Sequence, residues 1–564
     1  MDQKRTLLNV HSRQWIVGIM LFIVMAALFL AAPLITAAGK APASGTKSLA
    51  TYSFTGSGWA TFGIVLPRGE AFEGLQVEGL TTQTDIKNLW PDGSIRYAIL
   101  TVYIEEAGDY EILESVPAMG TFFPAIPDAC LTLNIESDGP GSALVAYRSD
   151  LPRTVNSDLW LDGPLVKEWR IRDVPKNSGE EHPFLTNIWD VRIYSDGTGT
   201  VDTTVENIRD VAAADAVVYA AEIILNNVPV YHHDAIKPGP NPLTSWEGDQ
   251  FGYTSAANGL INGNYIRLTS GPQAGQIGVV SGVWDNYRIS VYPMRFDPPL
   301  QYDVGWESVF YHQYGSRWHR VFATADFAKA EVKTDFAPFI EANAIPKYLP
   351  TVSSMAESAV NEGAWQNFDV LGFGIMVPSV GMAGGRPEIG LYPEWAARYL
   401  AHGTPELKKE TLAYGDLAGA FSVHFSKNDT GQIVTIDENP DYWPDRRSNT
   451  GNKPLNNLRG SSVRADSEHK TSQAYIPYLV SGGRYYSDEM LFHAHYSLMN
   501  IWPYWSGWPR GADGMMWGLA HRGYAWCFRD VADAAYYLPD DSEYKDFFMR
   551  IVKANLQNLD TYAA

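Results

Sequence analysis

The sequence predicts a multi-domain fold of the β plus α type, with strands first and helices last. Three observations predict it. A chain of 564 residues is too long for one core and should divide into roughly three or four domains at about 150 residues each. From about residue 50 to 340, short runs such as ATFGIVL, IRYAILTVYI, IWDVRIYSDG, YIRLTSG and QIGVVSGVW are punctuated by Gly, Pro, Asn and Asp, the pattern of strands and turns. After about residue 341 the apolar period becomes helical.

Charge and cysteine content narrow the function classes. The 43 basic and 64 acidic residues leave a net charge of −21, which opposes a phosphate backbone and argues against nucleic acid as partner. Cys130 and Cys527 stand far apart, so a disulfide framework and a multi-cysteine zinc site are excluded.

The N-terminus comes next in the chain. Lys4, Arg5 and Arg13 flank residues 15–38 (WIVGIMLFIVMAALFLAAPLITAA), a segment without charge and long enough to span a bilayer. A secretory apolar region usually runs only about 7 to 15 residues, which favours an uncleaved signal anchor. Thr36, Ala37 and Ala38 offer a small-residue cleavage site, so a cleaved signal and a secreted protein stay the alternative. Residues 1–14 are then cytoplasmic, 39–50 form an Ala/Pro/Ser/Gly-rich linker, and the remainder faces the extracytoplasmic side.

The strand-rich part divides at about residue 150 into segments 51–150 and 151–340. NIRDVAAADAVVYAAEI reads as a loop leading into a strand. Residues 238–301 have their own hairpin rhythm and read as an inserted surface β module. Beyond residue 341, helices are expected over 392–401, 405–425, 471–480, 485–499, 516–538 and 542–559. In the fifth, Trp517, Ala520, Tyr524, Phe528, Val531 and Ala535 recur at helical spacing as one buried stripe. Paired helices joined by AHGTPE or VSGGRYYSDE are the arrangement of helical hairpins or an α/α toroid. The helices are too few for a closed toroid, so its C-terminal end is expected to be incomplete.

LWPDGSIRYAIL, at 89–100, joins Trp90, Pro91, Asp92, Gly93, Ser94 and Arg96 to an apolar run. Alternation puts Arg96 on one face with Ala98, Leu100, Val102 and Ile104, and Ile95, Tyr97, Ile99 and Tyr103 on the other, both largely buried. Asp-Gly favours a tight hairpin, across which Arg96 is placed to pair with Asp92. The stretch is thus a fold-specifying turn or a sugar-stacking site at Trp90.

FGIVLPRGE followed by LWPDGSIRYAIL resembles the N-terminal domain of the exo-rhamnogalacturonan lyase-like family. GPLVKEWRIRDV and HPFLTNIWDVRIYSDGTGTVDTTVEN are similar to its central β domain, and HKTSQAYIPYLVSGGRYYSDEMLFHAHYSLMN and HRGYAWCFRDVADAAYYLPDD to its helical domain. The resemblance spans most of the chain apart from the apolar segment and the inserted module. It implies a RIFT-type β-barrel at 51–150, a β-sandwich-like domain at 151–340 and an α/α toroid at 341–564. It also implies activity on a rhamnogalacturonan-like acidic polysaccharide.

No nucleophile elbow, phosphate-cradling Gly loop, HExxH or EF-hand pattern occurs, so no cofactor is expected. Polar and aromatic residues concentrate instead in the helical part. GGRPEIGLYPEW carries Arg386 and Glu388, ENPDYWPDRR carries Asp441 and Trp443, and DSEHKTSQAY places Asp466 and His469 at a helix start. LFHAHYS supplies Tyr496, IWPYWSGW supplies Trp505 between Trp502 and Trp508, and AHRGYAW supplies His521, Arg522 and Trp526. Sugars need flat aromatic faces and groups that fix hydroxyls. A lyase acting on a uronate further needs a cation for the carboxylate and a base. Arg386, Arg522, His469, His521 and Tyr496 are the catalytic candidates; Glu388, Asp441, Trp443, Asp466, Trp505 and Trp526 are the substrate-binding ones. His493 and His495, two apart on a helix, do not share a metal-binding face, and no metal is expected. Paired carboxylates such as Glu388 with Asp441 keep a glycoside hydrolase open, and the anchor with the inserted module keeps a non-catalytic surface glycan-binding protein open.

Overall fold

The strand Ile95–Ile104 is where two cores of the protein meet. Ala98, Leu100, Val102 and Ile104 pack with Phe62 and Ile64 in one core, while Tyr97 and Ile99 belong with Trp59 to the largest core. Both faces are largely buried because each has its own partner, although Ile95 packs in the smaller core rather than with Tyr97, and Tyr103 is exposed. In this computed structural model the described residues are 47–136, 141–239, 243–245, 251–254, 260, 264–283, 288–292, 304–350, 368–376, 386–427, 431–440, 442–444, 469, 472–503, 510–516 and 521–563.

The described chain is a set of antiparallel sheets followed by a C-terminal helical region, the multi-domain β plus α class. The smaller core lies between two sheets. One orders its strands Glu331–Lys333, Ser48–Thr55, Gly108–Glu114 and Leu75–Val77; the other orders Gly58–Val65, Ile95–Ile104 and Thr82–Leu89. The next sheet has the order Ser316–Ala323, Gly199–Asn207, Thr186–Tyr194, Val166–Asp173 and Leu159–Asp162. Another centres on Leu144–Asp150, Ala129–Glu136, Val217–Leu225 and Val228–His233. The segment read as a loop before a strand is one, since strand structure resumes only at Val217. The inserted β module is a seven-stranded sheet between Ile236–Pro238 and Trp306–Val309, slightly wider than expected. Leu243, Ile266, Leu268, Val280 and Val291 form a separate core there.

The helical region consists, among the described residues, of α1 (Ala337–Glu341), α2 (Glu394–His402), α3 (Pro405–Asp416), α4 (Tyr475–Ser481), α5 (Arg484–Met499), α6 (His521–Tyr537) and α7 (Lys545–Ala563). From α2 onward each helix packs on the next. The helix expected over 405–425 stops at Asp416, with one 3-10 turn at Ala418–Ala420. Beyond it the backbone is recruited by the sheets: His424 N donates to Gly315 O at 2.9 Å and Ser426 N to Ile208 O at 2.8 Å. Of the expected stripe of α6, Val531 and Ala535 are buried, and the buried face widens toward Gly523, Cys527, Asp530 and Ala534. Tyr524 and Phe528 are only partly buried, while Trp517 and Ala520 lie outside the described residues.

Among the contacts that seat the helical region on the N-terminal sheets, two involve Gly63 and the 89–96 hairpin. At Gly63 a Cβ would stand 2.0 Å from the carbonyl oxygen of Leu479, so α4 reaches the strand backbone only because the residue is glycine. The 89–96 hairpin supplies the second contact. Gly93 adopts φ 86°, its N–H donates to Trp90 O at 2.8 Å, and Asp92 accepts from Ser94 N at 3.1 Å and Ser94 Oγ at 2.7 Å. The expected Arg96–Asp92 pair does not form, because Asp92 takes Arg68 Nε at 2.8 Å. Arg96 instead lies 4.0 Å over the Trp90 ring and donates to Tyr536 O at 3.2 Å. The Trp90 indole donates to Leu66 O at 3.0 Å. A ring covered by a guanidinium and hydrogen-bonded to the backbone belongs to the scaffold.

Beneath α5 the sheet carries a layer of buried charge on one face. Arg170 pairs with Asp190 at 2.6 Å and with Asp488 of α5 at 2.8 Å. Arg317 reaches Glu206 at 3.0 Å and Asp488 at 3.2 Å, and Arg172 also pairs with Glu206. His319 lies between Asp202 at 2.9 Å and Asp416 at 3.2 Å.

Candidate active site

Helix α6 presents Arg522, Trp526, Arg529 and Asp533 at i, i+4, i+7 and i+11, one polar and aromatic face rather than a solvated one. Arg529 anchors it: Nη1 donates to the carbonyls of Gly390 and Leu391 at 2.8 Å each, the side chain pairs with Asp530 at 2.8 Å, and the guanidinium lies 5.2 Å over Trp526. The 386–392 loop is thereby tied to α6.

At one end of this face is a small pocket lined by Ser472, Gln473, Ala474, Tyr475, Met490, His493, Asp530 and Asp533. Its two carboxylates have different surroundings. Asp530 accepts Ser497 Oγ at 3.1 Å as well as Arg529 Nε at 2.9 Å. Asp533 Oδ2 is buried with no hydrogen-bond partner among the described residues. Burial pushes the Asp533 carboxyl well above the ordinary carboxylate range; Arg529 pulls it back only in part, and Asp530 adds to the rise. A carboxyl kept neutral in this way can donate a proton or a hydrogen bond. Gln473 Nε2 donates to Tyr414 O at 3.1 Å, and Tyr475 stacks on Tyr392 with centroids 5.7 Å apart.

The structure brings some of the sequence-proposed residues together. Arg522 Nη2 lies 3.2 Å from His469 Nε2, and since a guanidinium only donates, the imidazole nitrogen is the acceptor. Arg386 Nε lies 3.1 Å from Glu388 Oε1, with Glu388 buried. That pair sits on the loop that Arg529 holds.

Others stand apart. Tyr496 is fully buried in the main core and is not in the pocket lining. His521 opens α6 in an exposed position rather than on its buried stripe. His469 does not start a helix, because α4 begins six residues later at Tyr475. Trp443 stacks on Trp502 at 5.9 Å, and that area is organised by Arg510, which donates to Leu498 O at 2.9 Å and Tyr442 O at 2.8 Å. Asp441, Asp466, Trp505 and Trp508 lie outside the described residues, as does the apolar segment 15–38. Among the described residues no helix is long and apolar enough to cross a membrane.

Asp530 and Asp533 were missed because carboxylates one turn apart on a helix ordinarily face water. The readable signal was their place on a stripe with Trp526 and Arg529. A second group missed from sequence adjoins the pocket through His493: His424, Glu489 and His493 bring one ligand-type atom each within 4.8 Å of one another, all three residues buried. No protein-family model matches the sequence, and no curated protein matches it.

Proposed function

We propose that the protein is an extracytoplasmic carbohydrate-active enzyme, a lyase that opens an acidic, rhamnogalacturonan-like polysaccharide by β-elimination along the Arg522–Trp526 face of α6. The observation that carries this reading is the 3.2 Å contact between Arg522 and His469, a carboxylate-binding cation beside an imidazole in its acceptor form. Arg522 would neutralise the uronate carboxylate and stabilise the enolate-like charge, and His469 would remove the proton beside it. The electron pair released forms the carbon–carbon double bond as the glycosidic oxygen leaves and takes a proton from solvent, while His469 later returns its own proton to water. Local cations matter here because a chain of net charge −21 repels a polyanion, an effect screened beyond about 8 Å at physiological salt. The resemblance to the exo-rhamnogalacturonan lyase-like family supports the same reading. So does the succession of packed helices expected of an α/α toroid behind a β-barrel and a β-sandwich-like domain. The apolar segment 15–38 supports membrane attachment, with secretion as the alternative.

Incubation of the full chain with pectic and other uronate-containing polysaccharides tests the proposal. An ultraviolet-absorbing unsaturated product should form, be lost in His469→Ala, and form with weaker substrate affinity in Arg522→Ala. A second reading, a glycoside hydrolase, is favoured by Asp533, whose burial favours its protonated form, one helical turn from Asp530. Saturated ends, with Asp533→Asn inactive and His469→Ala active, would establish that reading instead. Binding without cleavage would make the protein a glycan receptor.

A further inference from the structure

The buried contact between His424 and Glu489 raises a problem of charge. His424 Nδ1 lies 3.0 Å from Gly315 O and 3.0 Å from Phe421 O, and both are pure acceptors, so Nδ1 carries the hydrogen. In a neutral imidazole Nε2 is then a bare lone pair, yet it sits 2.8 Å from Glu489 Oε2. Two lone pairs cannot face each other at that distance in a site where both residues are fully buried, so a positive species must lie between them. Either a proton or a metal ion meets the need.

Two further observations favour the metal. His493, one turn after Glu489 on α5, places Nε2 3.7 Å from the same oxygen, so a third donor converges on the point where a proton would need only two. A tetrahedral ion with ligands at about 2.0 to 2.1 Å separates them by about 3.3 Å, between the 2.8 and 3.7 Å contacts seen here. The surrounding layer is also short of positive charge. Among the described residues, Arg170, Arg172, Arg317, a protonated His319 and, at longer range, Arg484 face Asp190, Asp202, Glu206, Asp488, Glu489 and the half-exposed Asp416, five cations against six carboxylates. Arg317 does not fill the need at Oε2, because its Nε lies 3.0 Å from the other oxygen, Oε1, and without hydrogen-bond alignment.

We infer that His424, Glu489 and His493 bind one divalent transition-metal ion of the zinc type through two imidazole nitrogens and one carboxylate oxygen. The site joins the 421–426 segment to α5, and His424 is already oriented by the carbonyls of Gly315 and Phe421, the arrangement that fixes the tautomer of a ligating histidine. On binding, His493 exchanges its 3.3 Å hydrogen bond to Ala418 O for the ion. His493 also lines the pocket beside Asp530 and Asp533. The inference stands independently of the lyase reading, since its test needs no substrate.

The full chain, stripped with a chelator and checked for retained fold by circular dichroism, is titrated with Zn²⁺ and Co²⁺. About one equivalent should bind, with the visible bands of tetrahedral, imidazole-bound Co²⁺ and a rise in melting temperature. His424→Gln and His493→Gln should each weaken binding by on the order of a hundredfold or more. The double variant His232→Ala/His233→Ala, at one exposed and one half-buried histidine outside the cluster, should bind as the parent does. A folded parent that takes up neither ion overturns the inference, and so does uptake abolished by the His232/His233 variant; a proton then bridges His424 and Glu489. Should a Gln variant fail to fold, the parent's Co²⁺ spectrum decides alone.

Discussion

Arg317 on the sheet reaches Asp488 on α5 at 3.2 Å, and Arg170 reaches the same carboxylate at 2.8 Å, so one helix residue closes two buried charges of the sheet. Burial alone would raise the Asp488 carboxyl, but Arg170 and Arg317 overcome it and hold it well below the usual range. Removing this partner breaks two buried ion pairs, while Arg170 keeps Asp190 and Arg317 keeps Glu206, so Asp488→Ala should cost about 1 to 3 kcal/mol. The folded value is the lower one. Stability from Asp488 is therefore complete above about pH 4 and drains away as pH falls through the folded value. Urea unfolding should show the deficit of Asp488→Asn shrinking in acid; a deficit independent of pH would contradict the pairing.

His319 predicts the opposite dependence. Burial pushes its imidazole down, yet Asp202 and Asp416 outweigh that and push it up to about 10. A value raised above the unfolded one near 6.5 means the contribution is complete below about pH 6.5 and is lost as pH rises toward 10. It is on the order of a few kcal/mol. Denaturation midpoints of the parent should fall across that window, and His319→Gln should flatten the fall. An equal slope in both would remove His319 as its source.

These charges show what the sequence does and does not disclose. The strand Ile95–Ile104 was legible because alternation is local and each face meets a core. The helices were legible because a period of 3.6 survives without knowledge of the partner. The 405–425 prediction overran because nothing in its period reports that Gly315 and Ile208 compete for the backbone after Asp416. His424 and Glu489 are 65 residues apart, and their 2.8 Å contact is set by how α5 lies on the sheet. Of the proposed site, Arg522 with His469 and Arg386 with Glu388 came from residue chemistry alone, whereas Asp533 becomes notable only once its burial is known.

Gly63 tests how the helical region is seated. Its Cβ position lies 2.0 Å from a backbone oxygen of α4, which has no flexible end to move aside, so Gly63→Ala must displace the helix or the strand. The expected loss is about 3 kcal/mol or more, read from the urea midpoint at neutral pH. A parent-like midpoint would mean that α4 does not rest on this strand.

Asp533→Asn separates function from stability. The folded value of this carboxyl lies above the unfolded one, so the residue becomes a liability as pH rises past about 4, where the unfolded chain ionises and the native pocket resists. Asparagine keeps the shape and cannot ionise. The variant should therefore melt at the same temperature as the parent in acid and at a higher one at neutral pH. If Asp533 donates a proton in the reaction, the same variant should lose on the order of a hundred- to ten-thousandfold in turnover on whichever glycan the parent cleaves. Greater stability with full activity would leave Asp533 as a strained wall residue and place the chemistry at His469 and Arg522. Lower stability at neutral pH would show instead that its carboxylate is paired, and would remove the neutral acid from the pocket.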